Sequence, residues 1–304
     1  MRAAYGGLVG AVTTPKGPWQ PQGRSSSGRA AGSVFISVVI PTRNSARTLD
    51  ACLESLLSQC GPGDEVIVVD DVETADGTRE ICRRRGVVLI VSPAGTAGSR
   101  NLGQRWADRS FVMHLDSDMI LRPDTMLRIR AVLATTQADA LVLPEKGVGT
   151  GYWSRARALD KASVQKTGIG IAARVIRKSL EDQLGGHSPN LNAGEDADLH
   201  RRLVLAGASI AVLEGTALLH DEGRMSLRST ARKKYHYGLS LPQFEQAHGR
   251  LYSRKDMMRR LRVGMVLAIR DDPLALPGFL ILKATEAAAG TAGSLRARWS
   301  GAYR

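Results

Sequence analysis

Residues Phe35–Leu57 read FISVVIPTRNSARTLDACLESLL. The first six, Phe35 to Ile40, are a short continuous run rich in β-branched side chains, which predicts a buried strand. Beyond the polar PTRNS, Leu49, Cys52, Leu53, Leu56 and Leu57 recur at three- and four-residue spacing, the period of an amphipathic helix. The strand-helix unit then repeats. EVIVV (Glu65 to Val69) leads to a helix capped by Asp76-Gly77-Thr78, VVLIV (Val87 to Val91) to a helix around Leu102 and Trp106, and SFVMHL closes the series. Short apolar strands alternating with helices predict an α/β fold whose mostly parallel sheet is flanked by helices.

In such sheets ligands bind beyond the carboxyl ends of the strands. That rule gathers four polar loops on one rim: PTRNS (Pro41 to Ser45), DDVETADGT (Asp70 to Thr78), PAGTAGSRN (Pro93 to Asn101) and DSD (Asp116 to Asp118). Crowded carboxylates repel unless a cation compensates them, and carboxylate oxygens suit Mg²⁺ or Mn²⁺. An acidic pair in a surface turn is also common; the strand leading into DSD favours the metal reading. The second half supplies another acidic pair, Glu195-Asp196, at the start of the helical pattern in GEDADLHRRLVLAG. Acidic residues there complement the helix dipole whatever else they do.

The chain has 304 residues, 43% of them hydrophobic, enough for one large domain or a domain with an appendage. Its formal charge of +13 calls for an anionic partner: nucleic acid, membrane surface or phosphorylated substrate. Nucleic acid is disfavoured by the carboxylate-lined rim, 5% aromatic content and the lack of a reader motif. A dinucleotide-binding enzyme would want G-x-G-x-x-G after the first strand, where Pro41 stands instead. A nucleotidyltransferase would want a Gly-rich loop with a lysine there, and PTRNSARTL has neither. Cys52, Cys60 and Cys82 form no metal or disulfide pattern, and small buried thiols in a reducing, cytoplasmic setting are expected.

The ordered motifs SVVIPTRNSARTLDACLESLLSQ, VIVVDD with DGT, GSRNLG, HLDSDMIL and GEDADLHRRLVLAG resemble those of the family 2 glycosyltransferases, nucleotide-sugar enzymes of GT-A fold. The resemblance runs from about Ser37 to Gly238 and is nearest to bacterial and archaeal members that build cell-surface or secondary-metabolite glycans. It implies an inverting glycosyltransferase with a nucleoside diphosphate sugar donor, UDP by default, a Mn²⁺ or Mg²⁺ cofactor, and a glycan, lipid-linked or small-molecule acceptor. By this resemblance Pro41, Thr42, Arg43, Asp71, Arg100 and Asp116 contact the nucleotide, Asp118 ligates the metal, and Asp196 is the catalytic base. The family usually writes the second loop DDGSTDGT, one residue shorter than DDVETADGT, which leaves donor-base selectivity open. A nucleotide-sugar-binding subunit without turnover is the main alternative.

Other residues keep two readings each. His220, closing TALLH, is either a second metal contact or a capping histidine. Glu195, Arg224, Lys233 and Lys234 stand on the acceptor and phosphate side; with Arg232, the basic residues otherwise form a solvated helix face. Trp153, beside Tyr152, either stacks on an acceptor or packs in a core.

Three segments are expected: a disordered tail over 1–33, rich in Pro, Gly, Ser and Arg; a GT-A domain over 34–238, its nucleotide half about 34–121 and its acceptor half about 122–238; and a helical C-terminal segment over 239–304. No secretory signal is expected in the tail. LALPGFLILKATEAAAGTAG (Leu274 to Gly293) comes closest to a spanning helix, but Lys283 and Glu286 interrupt it. An amphipathic helix is expected there, packed on the domain or lying peripherally on an anionic cytoplasmic membrane face.

Overall fold

A computed structural model describes residues 11–13, 34–191, 194–215, 218–249 and 253–300. In chain order the strands are β1 (Ala11–Thr13), β2 (Ile36–Thr42), β3 (Glu65–Asp71), β4 (Val88–Ser92), β5 (Phe111–His114), β6 (Met119–Leu121), β7 (Ala140–Val142), β8 (Glu145–Val148), β9 (Ala173–Arg177), β10 (Ile210–Val212) and β11 (Leu218–Asp221). The helices are α1 (Ala46–Leu57), α2 (Thr78–Arg85), α3 (Gly95–Trp106), α4 (Thr125–Thr136), α5 (Tyr152–Thr167), α6 (Lys178–Leu184), α7 (Glu195–Leu205), α8 (Leu227–His248), α9 (Arg254–Asp271) and α10 (Leu276–Trp299).

The chain divides into two compact units. One comprises Met1–Pro144, Ala173–Ser188 and Leu199–Leu218; the other comprises Glu145–Ala172, Pro189–Asp198 and Leu219–Arg304. These units cut across the expected segment boundaries. The first extends past residue 121 because β7, β9 and β10 join its sheet. At residue 238 α8 continues unbroken to His248, although Pro242 within it has no amide to donate to the Gly238 carbonyl. Of the expected tail, residues 1–10 and 14–33 lie outside the described residues. Ala11–Thr13 is a strand rather than coil: it pairs antiparallel with β4, supplying a partner for an edge that would otherwise present open hydrogen-bonding groups.

The first unit holds an eight-stranded sheet in the order β1-β4-β3-β2-β5-β9-β7-β10. Strands β4, β3, β2 and β5 run parallel to one another, as does β10 to β7, while β9 lies antiparallel between β5 and β7. Both faces are covered: Leu49, Cys52, Leu53 and Leu56 of α1 join the larger core with Ile36, Val38 and Ile40, and Leu102 of α3 packs with Val39 and Ile67 opposite. Most of Pro93–Asn101, expected as a loop, is helix. Helix α3 starts at Gly95, whose φ of +64° reverses the chain just after β4. The cysteines are free thiols; burial pushes those of Cys60 and Cys82 up to about 12.

The second unit is mainly helical. Glycines let α8 and α10 approach closely: a Cβ on Gly238 would collide with the Gly290 carbonyl oxygen, and one on Gly293 with that of Tyr235. Gly238→Ala should therefore destabilise the protein by about 1–3 kcal/mol through overpacking. Thermal melting of the variant against the parent checks this. Beside that crossing lies an ion cluster whose two acids, Asp160 and Glu286, are buried. Asp160 is 3.0 Å from Arg157, 3.2 Å from Arg260 and 3.0 Å from Lys283. Glu286 is 2.6 Å from Arg157, 2.7 Å from Lys283 and 3.5 Å from Lys234. Burial opposes ionisation of Asp160, but Lys283, Arg260 and Arg157 hold its carboxyl down at about 2.

Candidate functional site

Strand β2 pairs with β3 on one side and β5 on the other, so the loops after these strands meet where the strand order reverses. Hydrogen bonds join them. Asn44, at φ 49°, accepts from the Ala75 amide through Oδ1 at 2.9 Å, and Arg43 reaches Glu73 at 2.5 Å. Ser117 Oγ donates to Ser45 Oγ at 2.9 Å, which ties the DSD turn to the first loop. The longer second loop is thus bound to PTRNS along much of its length.

The two aspartates that end β3 have different tasks. Asp70 is fully buried and accepts from Thr42 and Thr74 hydroxyls, each at 2.8 Å, and from Arg79 Nε at 2.8 Å. It holds the loop together. Asp71 is half-exposed on the rim, where its Oδ1 accepts from the Glu73 amide at 2.9 Å. Thr42 is buried by its bond to Asp70, and Pro41 beside it is half-buried.

Asp116 sits between two guanidinium groups. Arg100 Nη2 donates to Oδ1 at 2.6 Å and Arg174 Nη2 to Oδ2 at 3.2 Å. Arg100, expected beside the nucleotide, is only 3% exposed and is turned onto Asp116 because α3 begins early enough to carry it inward. Arg174, which also donates to the His114 carbonyl at 3.4 Å, was not anticipated. Its strand β9 follows a helix more than fifty residues beyond the DSD turn and enters the sheet antiparallel, a pairing that the local pattern ARVIR does not announce. Asp118 is half-buried at the same turn.

Directly behind the turn lies a buried cluster that sequence reasoning missed. His114 Nε2 and Glu181 Oε1 are 2.7 Å apart, and the rings of His114 and His187 meet edge to face with centroids 4.6 Å apart. Asn101 of the GSRN motif fixes His187 through both its backbone N–H and its carbonyl, at 2.7 Å each. Burial works against ionisation of Glu181, but His114 and His187 hold its carboxyl below the ordinary glutamate range. The ligating atoms of His114, Glu181 and His187 lie within 4.8 Å of one another, close enough to share a metal ion. This group includes neither Asp118 nor His220.

The remaining expected residues lie in the second unit. Glu195 and Asp196 are half-buried in the first turn of α7, with Asp198 beside them; Gly194, at φ +83°, turns the chain into the helix. His220 belongs to a polar cluster: its Nδ1 contacts Lys161 Nζ and lies 3.3 Å from Glu145, and Lys161 also pairs with Glu145 and Glu222. An ammonium group against Nδ1 makes that nitrogen a poor cation ligand. Trp153 packs edge to face on Tyr152, whose ring covers Gly278 of α10. Arg224, Arg232 and Lys233 are exposed, whereas Lys234 turns inward toward Glu286. Burial lowers the Lys234 ammonium below the ordinary lysine value, with Glu286 opposing.

Comparison with known proteins agrees with this architecture. Residues 37–189 match the sequence profile of glycosyl transferase family 2. A pre-mycofactocin glycosyltransferase of Mycobacterium tuberculosis is 30% identical over 235 residues, covering 70% of this chain and 48% of that protein. Staphylococcus aureus TarS 1-349, solved with UDP-GlcNAc, superposes with a TM-score of 0.51 at 20% identity, covering 89% of this chain and 93% of that one. The Pyrobaculum calidifontis mannosyltransferase PcManGT, solved with GDP-Man and Mn²⁺, gives 0.53 at 20% identity, covering 88% and 79%. The two structures share the fold with this chain. The chain spans about half to three-fifths of the length of the curated relatives it matches.

Proposed function

The chain belongs to glycosyl transferase family 2 and has the GT-A fold, and from that premise we propose that it is an inverting glycosyltransferase. It moves a sugar from a nucleoside diphosphate sugar to a hydroxyl of a glycan, lipid-linked or secondary-metabolite acceptor. The observation that carries this reading is the gathering of Thr42, Asp71, Asp116 and Asp118 on one rim, joined by the Asn44-Ala75 and Ser117-Ser45 hydrogen bonds.

Each rim residue has a separable task. Asp71 accepts a hydrogen bond from the nucleotide base, while Pro41 and Thr42 border the base and ribose. Asp116, with one guanidinium on each carboxylate oxygen, orders the turn and keeps Arg100 and Arg174 beside the nucleotide. Asp118, at the second acidic position of the turn, is the metal ligand in this reading, its carboxylate oxygens suiting a hard divalent ion such as Mn²⁺ or Mg²⁺. Such an ion, when bound, offsets the charge of the departing diphosphate. Asp196 takes the proton of the acceptor hydroxyl as its oxygen bonds to the anomeric carbon. The bond from that carbon to the diphosphate breaks, its electron pair leaves with the diphosphate, and the configuration inverts. UDP is the first donor nucleotide to try, with GDP second; TarS was solved with a UDP-sugar and PcManGT with a GDP-sugar.

Thermal melting with UDP, GDP, CDP and dTDP, each with Mn²⁺, Mg²⁺ or chelator, tests the donor site. A nucleotide at a hundred times its Kd should add about 2.7 kcal/mol to the apparent stability. The rise should require metal and should disappear in Asp118→Asn. Absence of any rise, or one indifferent to metal and to this substitution, would remove the donor-site reading.

A further inference from the structure

Helix α10 is turned inside out relative to a helix that faces water. Its two charges within the apolar span point into the protein: Lys283 reaches Asp160 at 3.0 Å and Glu286 at 2.7 Å, and Glu286 is only 8% exposed. Its outer stripe, at i, i+4, i+7, i+8, i+11 and i+15, is instead Leu280, Ala284, Ala287, Ala288, Thr291 and Leu295, all exposed. Leu274 at 75% exposure extends the apolar surface before the helix, and Trp299 at 91% extends it at the far end.

The charges around this surface are predominantly positive. Arg296 and Arg298 flank Trp299, Arg298 pairing with Glu245 at 2.7 Å, and Lys255, Arg259 and Arg262 are exposed on α9. The nearby acids are engaged: Asp271 with Arg270 at 2.6 Å, Asp272 with Arg155, and Asp256 in the N-terminal capping box of α9. A second copy of this chain would bring the same excess positive charge to the interface, whereas an anionic bilayer complements it. No described helix is long and apolar enough to cross a membrane.

We infer that the outer face of α10 docks the protein on an anionic lipid surface, with Leu274, Leu280 and Leu295 entering the headgroup-acyl boundary, Trp299 as an aromatic anchor, and Arg296, Arg259 and Arg262 on lipid phosphates. This inference is independent of the donor site. It rests on which side of the helix carries the charges.

The test is co-sedimentation of the full chain, without nucleotide, on vesicles of phosphatidylcholine alone or of phosphatidylcholine mixed with phosphatidylglycerol. Binding to the mixed vesicles is expected, weakened by high salt. The double substitution Leu280→Glu and Leu295→Glu should lower partitioning by about tenfold or more, since each leucine loses its apolar burial. Both positions are exposed, so the melting temperature should be unchanged. Sedimentation velocity without lipid gives the second readout. Failure to bind anionic vesicles, retention of binding in the double variant, or a lipid-free dimer that this variant splits would each overturn the inference.

Discussion

Replacing Asp196 with Asn is expected to lower sugar transfer by about 10²–10⁴-fold, the usual contribution of a positioned general base, while nucleotide binding persists. The residue lies in the first turn of α7, half-buried, with Glu195 and Asp198 near it. Acids at that place also complement the partial positive charge of the helix N-terminus, worth about 0.3–1 kcal/mol each. The two roles separate cleanly. A merely structural Asp196 would give a small loss in melting temperature with turnover intact, and Glu195→Gln would resemble Asp196→Asn. A catalytic Asp196 gives near-complete loss of turnover with almost unchanged melting, and Glu195→Gln stays active.

Asp160→Asn should cost about 3–5 kcal/mol, the range for removing one partner from a buried charge group. Asp160 balances Arg157, Arg260 and Lys283, and without it Glu286 would be left to pair with Arg157, Lys283 and Lys234 while Arg260 would lose its contact with Asp160. The same residue sets a pH dependence. Its folded-state value is depressed to about 2 from 3.8, so its contribution is present above the unfolded value and is lost as pH falls from about 3.8 through about 2. Denaturant melts across that window should show a decline that is shallower in Asp160→Asn than in the parent. An unchanged stability in Asp160→Asn at neutral pH would show that the cluster is surface decoration.

Local pattern carried much of the first unit. The runs FISVVI, EVIVV, VVLIV and SFVMHL became the adjacent strands β2, β3, β4 and β5, and the spacing of Leu49, Cys52, Leu53 and Leu56 marked the buried face of α1. The family 2 resemblance and the GT-A fold it implied both hold. What sequence reasoning lost was long-range pairing. Arg174 meets Asp116 only because β9 enters antiparallel between β5 and β7, and His114 meets Glu181 across 67 positions. Nor does a charge pattern reveal which way a residue will point: Lys234 looked like one more member of an exposed basic run, yet it faces Glu286, and Lys283 and Glu286 face the protein where an ordinary amphipathic helix would send them to water. PAGTAGSRN read as a polar rim loop because it follows the third strand, although its glycines serve a sharp entry and close packing; Gly103, just beyond, leaves space that Val39 fills.

The most direct measurement is release of nucleoside diphosphate from UDP- and GDP-sugars with Mn²⁺, supplied with a membrane and glycan extract as acceptor source, for the parent and Asp196→Asn after both are shown to bind the nucleotide. The account predicts release and incorporation of sugar by the parent and near-complete loss in Asp196→Asn. Nucleotide binding by both proteins with no release by either would contradict it and would make this chain a nucleotide-sugar-binding subunit without turnover.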